Sequence, residues 1–353
     1  MIDRKKPYNK EPWDNLKRIQ NITPSVTPVA EPPSTFHPIR QGSATNLLTK
    51  TRARVGVNTE LDPITDVATI TRGGLTLFFS DFSNMVSGLK QSTYKLLDAL
   101  TLTFTEGGAK STTVQLPLQR YMDHCGLKDR KEARKQVVLD LEVLFNLRLS
   151  YKGRSKREQD FADIRLCDAK AISNGVITFN FSQPFYSMLM GFSVMPYPEQ
   201  LLRLNAKYNP NSYYLGRKIA EHKRMNAGKS NEDIIAVATL LQVCPDLPSY
   251  EEIMATSKHV DQRIIQPFER DMNALSEMLA WEYCHRNGAT LTDEELLTFE
   301  YKTFSSCLIR ITWNGYPNQR QQIESKPVRA HAKHIYQSKK ALTRTTRPLR
   351  TPS

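Results

Sequence analysis

Apolar positions recur every three or four residues in one long stretch of this chain, where Ala133, Val137, Leu141 and Leu144 share a face. The spacing predicts a long helix whose opposite face opens with Lys128, Arg130, Lys131, Arg134 and Lys135. Upstream, LTLFF reads as a strand, and Ser92 is expected to cap a helix bearing Tyr94, Leu97 and Leu100 on one side. VQLPL predicts a short strand, with Pro117 near the first turn of the helix LQRYMDHC, which Gly126 stops. Residues 126–128 alone separate that helix from the long one, which is helix-turn-helix spacing. Downstream, LRLSY, FADIRLCDAK and GVITFNFS have strand character, and Asn174-Gly175 predicts a hairpin turn. Between the first two lies KGRSKREQ, a tip carrying Lys152, Arg154, Lys156 and Arg157.

The pattern then repeats. Ile264, Phe268, Met272 and Leu275 have the spacings of Ala133, Val137, Leu141 and Leu144 at a constant offset of 131. Each series runs into an apolar strand, LRLSY in one and MLAWEY in the other, and CLIRITW can close the second hairpin. Before this copy, SYYLGRKIAEHKRMN reads as a helix and residues 233–236 as a short strand. Because a mid-helix proline costs about 3 kcal/mol, Pro267 is expected in the first turn of a helix starting near Arg263. The polar face of this second helix offers Lys258, His259, Arg263, Gln266 and Arg270 against Asp261, Glu269 and Asp271.

A helix with a cationic leading end, followed by a two-stranded loop with a cationic tip, has the outline of a winged helix. In that fold the helix enters the major groove and the wing follows the backbone. The expected fold is therefore α+β, with two tandem winged-helix (helix-turn-helix plus β-wing) domains over 75–182 and 212–313, joined by a linker over 183–211. Residues 1–61 are Pro-, Thr- and Ser-rich and residues 314–353 are basic and polar; both are expected as disordered tails, since they bury too little apolar surface to offset ordering entropy.

Charge sharpens this outline. The chain is formally +13. Residues 1–60 hold 10 basic and 5 acidic side chains and residues 314–353 hold 9 and 1, leaving 30 of each sign between them. Within that neutral body, residues 128–157 carry 10 basic and 4 acidic side chains. A local cationic patch on a balanced body fits a groove reader better than a general polyanion binder. Arg130 and Arg134 are the expected base contacts, Lys131 and Lys135 the phosphate contacts that seat the helix.

The blocks YKLLDALTLTFTE, LKDRKEARKQVVLDLE, GVITFNFSQPFYSMLM and NPNSYYLGRKIAEHK resemble replication initiator proteins of plasmids and related mobile elements in Gram-positive bacteria. The resemblance runs in blocks from about 75 to 313 and leaves out both tails. It implies two winged helices diverged from one unit, which bind repeated origin sequences, open a neighbouring AT-rich segment and help to load the host helicase. One unit of such proteins serves dimerisation and backbone contact while the other reads the repeat; the sequence leaves open which is which. The implied partners are double-stranded DNA, a host helicase or initiator protein, and a second copy of the chain. The implied location is the bacterial cytoplasm, associated with nucleoid or plasmid. A winged-helix transcriptional repressor that does not melt DNA is the alternative of another binding class.

Other chemistry is weakly supported. Gly228-Lys229-Ser230 lacks the upstream glycine of a phosphate loop, because Lys223 stands there, so a turn is the better reading. His331, His334 and Tyr336 suggest a tyrosine-dependent nickase, but HAKHIY has the wrong histidine spacing and no strand character. No enzymatic activity, cofactor or metal is expected. The five cysteines are scattered among apolar neighbours without a CxxC pair, as in reduced cytosolic thiols. No apolar run approaches the ~18 residues that a membrane span requires.

Overall fold

Ala133, Val137, Leu141 and Leu144 are all buried, and so are Ile264, Phe268, Met272 and Leu275, so both apolar stripes face a core. The elements around them come from a computed structural model that describes residues 35–42, 58–72, 75–80, 89–152, 161–256, 259–297 and 299–317. In chain order the first part contains β1 (Phe36–Gln41), β2 (Asn58–Asp62), β3 (Val67–Arg72), β4 (Leu75–Phe79), α1 (Gln91–Glu106), β5 (Thr113–Pro117), α2 (Leu118–Cys125) and α3 (Arg130–Asn146). Next come β6 (Leu147–Lys152), β7 (Phe161–Arg165), β8 (Cys167–Ser173), β9 (Val176–Phe181), α4 (Gln183–Gly191), β10 (Ser193–Pro198) and α5 (Gln200–Arg203). The remainder is α6 (Ser212–Met225), β11 (Ile234–Ala236), α7 (Val237–Leu241), α8 (Tyr250–Thr256), a π-helical turn (Asp261–Ile265) leading into α9 (Gln266–Asn273), β12 (Leu279–Cys284), α10 (Asp293–Leu297), α11 (Tyr301–Ser306) and β13 (Leu308–Trp313). The fold is α+β.

Two modules share one connectivity. In each, a long helix leads to a short edge strand, then to further helices, and the last strand returns to the middle of a three-stranded antiparallel sheet. The order is β5-β9-β8 in the first and β11-β13-β12 in the second. A further bond recurs: the N–H that opens the helix after the edge strand donates to the carbonyl just before the central strand. It is Leu118 to Gly175 (2.8 Å) in one module and Val237 to Cys307 (3.0 Å) in the other.

The modules meet through their first helices and belong to one compact unit. Asp98 of α1 pairs with Arg217 of α6, each side chain only 4% exposed, and the Tyr213 hydroxyl donates to Asp98 Oδ2 at 2.6 Å. Burial works against the Arg217 charge, but Asp98 outweighs it and raises the pKa. Lys95 Nζ donates to the Leu202 and Leu204 carbonyls, closing the end of α5. Burial lowers the pKa of that ammonium to about 8.

Several expectations need correction. LRLSY and FADIR do not form the wing of the first module. As β6 and β7 they extend a five-stranded sheet of order β2-β3-β4-β6-β7, in which Leu147 and Leu149 of β6 stand opposite Phe79 and Leu77 of β4. These four side chains are buried, so the apolar gain of pairing with β4 fixes the hairpin there. The hairpin that belongs to the module sheet is β8–β9, closed by Asn174 (φ 50°) and Gly175 (φ 76°). The segment 1–61, expected as a disordered arm, contains β1 and all but the last residue of β2; its other residues, apart from Thr35 and Gly42, lie outside those described. The stretch 183–211 is not an open linker either, because β10 pairs with β1 along its length and Tyr197 is fully buried.

Two local readings also shift. Helix α1 begins at Gln91 with Lys90 as N-cap, so Ser92 lies inside the first turn and spends its hydroxyl on Asp140. The second-module helix is already under way at Val260 as a π-helical turn, earlier than Arg263, while Pro267 does stand in the first turn of α9 that follows. A proline ring collides with the carbonyl four residues back, and a widened turn moves that carbonyl aside.

Candidate nucleic-acid interface

The turn between α2 and α3 is built from backbone geometry. Gly126 takes the left-handed conformation (φ 66°) that ends α2, and the Leu127 N–H returns to the Met122 carbonyl at 2.9 Å. Asp129 then caps α3, accepting from the Lys131 and Glu132 backbone N–H groups at 2.8 and 3.0 Å. This holds the leading end of α3 in the open: Lys128, Arg130, Lys131, Arg134 and Lys135 are all exposed, and none pairs with a described carboxylate. Beside them runs the tight β8–β9 turn. The Arg130 guanidinium lies 2.9 Å from where a Cβ would stand on Gly175, so the glycine serves both the turn and this close approach.

Inside, α3 is locked by a carboxylate. Asp140 is buried and its Oδ1 accepts from Ser92 Oγ (3.0 Å), Thr93 Oγ1 (2.7 Å) and Gln136 Nε2 (3.1 Å). Burial raises its pKa against the pull of those donors. The second module repeats the device. Asp271 of α9 accepts from the Asn211 backbone N–H (3.0 Å) and side-chain amide (2.8 Å) at the start of α6, and Ser212 Oγ donates to the Asp271 carbonyl. Burial raises its pKa too. Asp140 and Asp271 are separated by 131 residues, the offset of the apolar repeat, so each module ties its exposed helix to the start of its first helix with an aspartate at the same place. Sequence reading passed over both; the shared offset was the available signal.

The second helix presents less free charge. His259, Arg263, Gln266 and Arg270 are exposed, but Gln266 Nε2 donates to Asp261 (2.8 Å) and the Arg270 guanidinium folds onto Asp271 Oδ1 (2.9 and 3.0 Å). Arg270 thereby serves the buried clamp. Lys258, Arg154, Lys156 and Arg157 lie outside the described residues, and Lys152 ends β6 on the rim of the five-stranded sheet. The structure thus gathers Lys128, Arg130, Lys131, Arg134 and Lys135 on one surface and places Lys152 on a different sheet. Sequence reading also missed the bare apolar pair Val138 and Leu139, on the same helix face as the cations.

Gly228-Lys229-Ser230 is a turn, with Gly228 in the left-handed region and its N–H taken by Glu232 Oε2 at 2.6 Å. An acidic side chain in that position would repel a phosphate. His331, His334 and Tyr336 lie outside the described residues. All five cysteines are buried thiols. Among the described residues no helix is long and apolar enough to cross a membrane.

The chain matches no family model and no curated protein. Its structure is similar to crystal structures of domains 2 and 3 of RctB. One overlaps with a TM-score of 0.43 at 12% identity, covering 78% of this chain and 99% of that one. Another, of residues 155–483, overlaps with a TM-score of 0.36 at 10% identity, covering 76% and 96%. At that overlap and identity the likeness carries no function across.

Proposed function

We propose that the chain is a sequence-specific double-stranded DNA-binding protein made of two tandem winged helices, and that it initiates replication by gripping origin repeats and opening the neighbouring duplex. One observation carries the reading: two modules with the same sheet order, last strand central, each expose one helix, and the first helix leads with five cations that no described carboxylate neutralises. A helix of 17 residues, about 25 Å long at 1.5 Å per residue, suits the major groove. The strand order, with the last strand central, supports the winged-helix reading, in which the β8–β9 turn beside Arg130 serves as the wing of the first module. The first module supplies the main electrostatic grip. The second is held at a set orientation by the buried Asp98–Arg217 pair, which suits repeats of fixed spacing. The protein acts without catalysis, on DNA of a plasmid or other mobile element, with a host helicase or initiator and a second copy as further partners.

Two substitutions test the grip. Arg134→Ala should weaken binding to a selected duplex by about 1–3 kcal/mol and relax preference at one base, whereas Lys131→Ala should weaken all sequences alike and flatten the salt dependence by about one ion. Fluorescence anisotropy across a salt series reads both, and unchanged affinity for R134A would remove Arg134 from the interface. Initiation is separated from repression by permanganate treatment of a supercoiled plasmid bearing the selected repeats. Reactive thymines beside the repeats support an initiator, and a fully protected duplex supports a repressor. A covalent adduct to DNA through a single tyrosine would instead identify a nickase.

A further inference from the structure

The exposed face of α3 does not stay cationic along its length. One turn beyond Arg134 and Lys135 stand Val138 and Leu139, 48% and 51% exposed. Residues four apart lie above one another on a helix, so both extend the row that the cations begin. Eight large hydrophobic side chains are at least 36% exposed among the described residues. Two are Val138 and Leu139, and a third, Leu127, occupies the turn before α3, so the exposure concentrates on this one motif. The row ends one turn further on at Glu142, whose carboxylate is neutralised by Lys170 of β8. A phosphate-repelling charge is thus quenched at the far end of the same face.

Resting on the DNA-binding reading above, we propose that Val138 and Leu139 are specificity residues that pack against thymine C5-methyl groups in the major groove. The charge on the face argues for this occupant. Four cations over the two preceding turns draw a polyanion onto the helix, and a protein surface seated there would have to neutralise all of them. The thymine methyl is the apolar group that the major groove offers to such side chains. Arg130, Arg134 and the two lysines orient the helix, and the apolar turn distinguishes thymine from cytosine where no hydrogen bond is made.

The full chain is first used to select binders from random duplex DNA at fixed salt. The winning duplex is then made with thymidine or with deoxyuridine, which lacks only the methyl. Wild type should bind the deoxyuridine duplex about fourfold more weakly per contacted methyl. Val138→Ala and Leu139→Ala should bind the two duplexes more nearly alike, and should match wild type on the deoxyuridine duplex. Equal binding of both duplexes by wild type, or an unchanged ratio in the variants, overturns the proposal while leaving DNA binding intact. Failure to select any duplex overturns the DNA-binding reading as well. Should Val138→Ser/Leu139→Ser abolish self-association in sedimentation without changing the ratio, a second copy is the occupant and the proposal fails.

Discussion

Arg217→Ala is expected to cost about 3–5 kcal/mol of stability, because it strands the Asp98 carboxylate in a site where both partners are almost wholly buried. Around Asp98 only the Tyr213 hydroxyl would remain, together with the Tyr197 and Tyr213 rings, whose hydroxyls burial and then Asp98 already push toward the neutral form. Thermal unfolding should move down by on the order of 10 °C. Removing both charges is a different matter: Asp98→Leu with Arg217→Met should recover most of the loss, since a buried pair can be exchanged for apolar packing. The double variant then separates two roles. If its DNA affinity for single repeats is unchanged but its preference for repeat spacing is lost, the ion pair sets the orientation between modules. A loss below about 1 kcal/mol for R217A would show that the pair is not closed in solution.

The second large effect concerns the matched aspartates. Asp271→Ala leaves the Asn211 N–H and amide without an acceptor in a fully buried site, and Asp140→Ala does the same to the Ser92 and Thr93 hydroxyls. Each should cost about 2–4 kcal/mol, with a larger loss for Asp271, whose Asn211 donors are fully buried. The sign with pH is unusual. Burial raises both carboxyl pKa values above 3.8, so the folded chain holds more protons than the unfolded one just above that pH. Their contribution to stability is therefore greatest at the acid side of this window and declines as pH rises through the raised values. Asp140→Asn and Asp271→Asn keep an acceptor and lose the charge, so their urea midpoints should show a shallower decline than wild type as pH rises above the ordinary aspartate range. Parallel curves would mean that neither carboxyl is shifted.

The apolar stripes made the helices legible, because burial of one face leaves a 3.6-residue period that survives any tertiary detail. The match between the two apolar stripes was legible for the same reason, and Gly126 and Asn174-Gly175 announced their turns through the backbone conformations they permit. Strand partnership was not legible. LRLSY looks alike whether it pairs within its own module or against LTLFF, and only the buried Phe79 and Leu77 opposite it decide the matter. The Pro-rich start misled for a related reason. His37 and Pro38 have little strand character of their own, and β1 forms because β10 offers an edge and Glu106 and Glu199 hold His37. At the candidate interface the charges could be read from the sequence, but their availability could not. Arg134 and Arg270 look equivalent on paper, and only the fold reveals that Arg270 is consumed by its neighbour.

Strand β1 has one more bearing on how this molecule comes into being. Phe36 packs its ring on Trp313 and Tyr316, at 6.2 and 5.2 Å between centroids, while the rest of the strand zips onto β10. The first strand among the described residues therefore waits for partners translated far later, and such distant closures are slow. Until it docks, β10 presents a bare hydrogen-bonding edge, and an edge of that kind accepts a neighbour's strand as readily as its own. Nascent copies crowded on one message are the ones most exposed to that exchange.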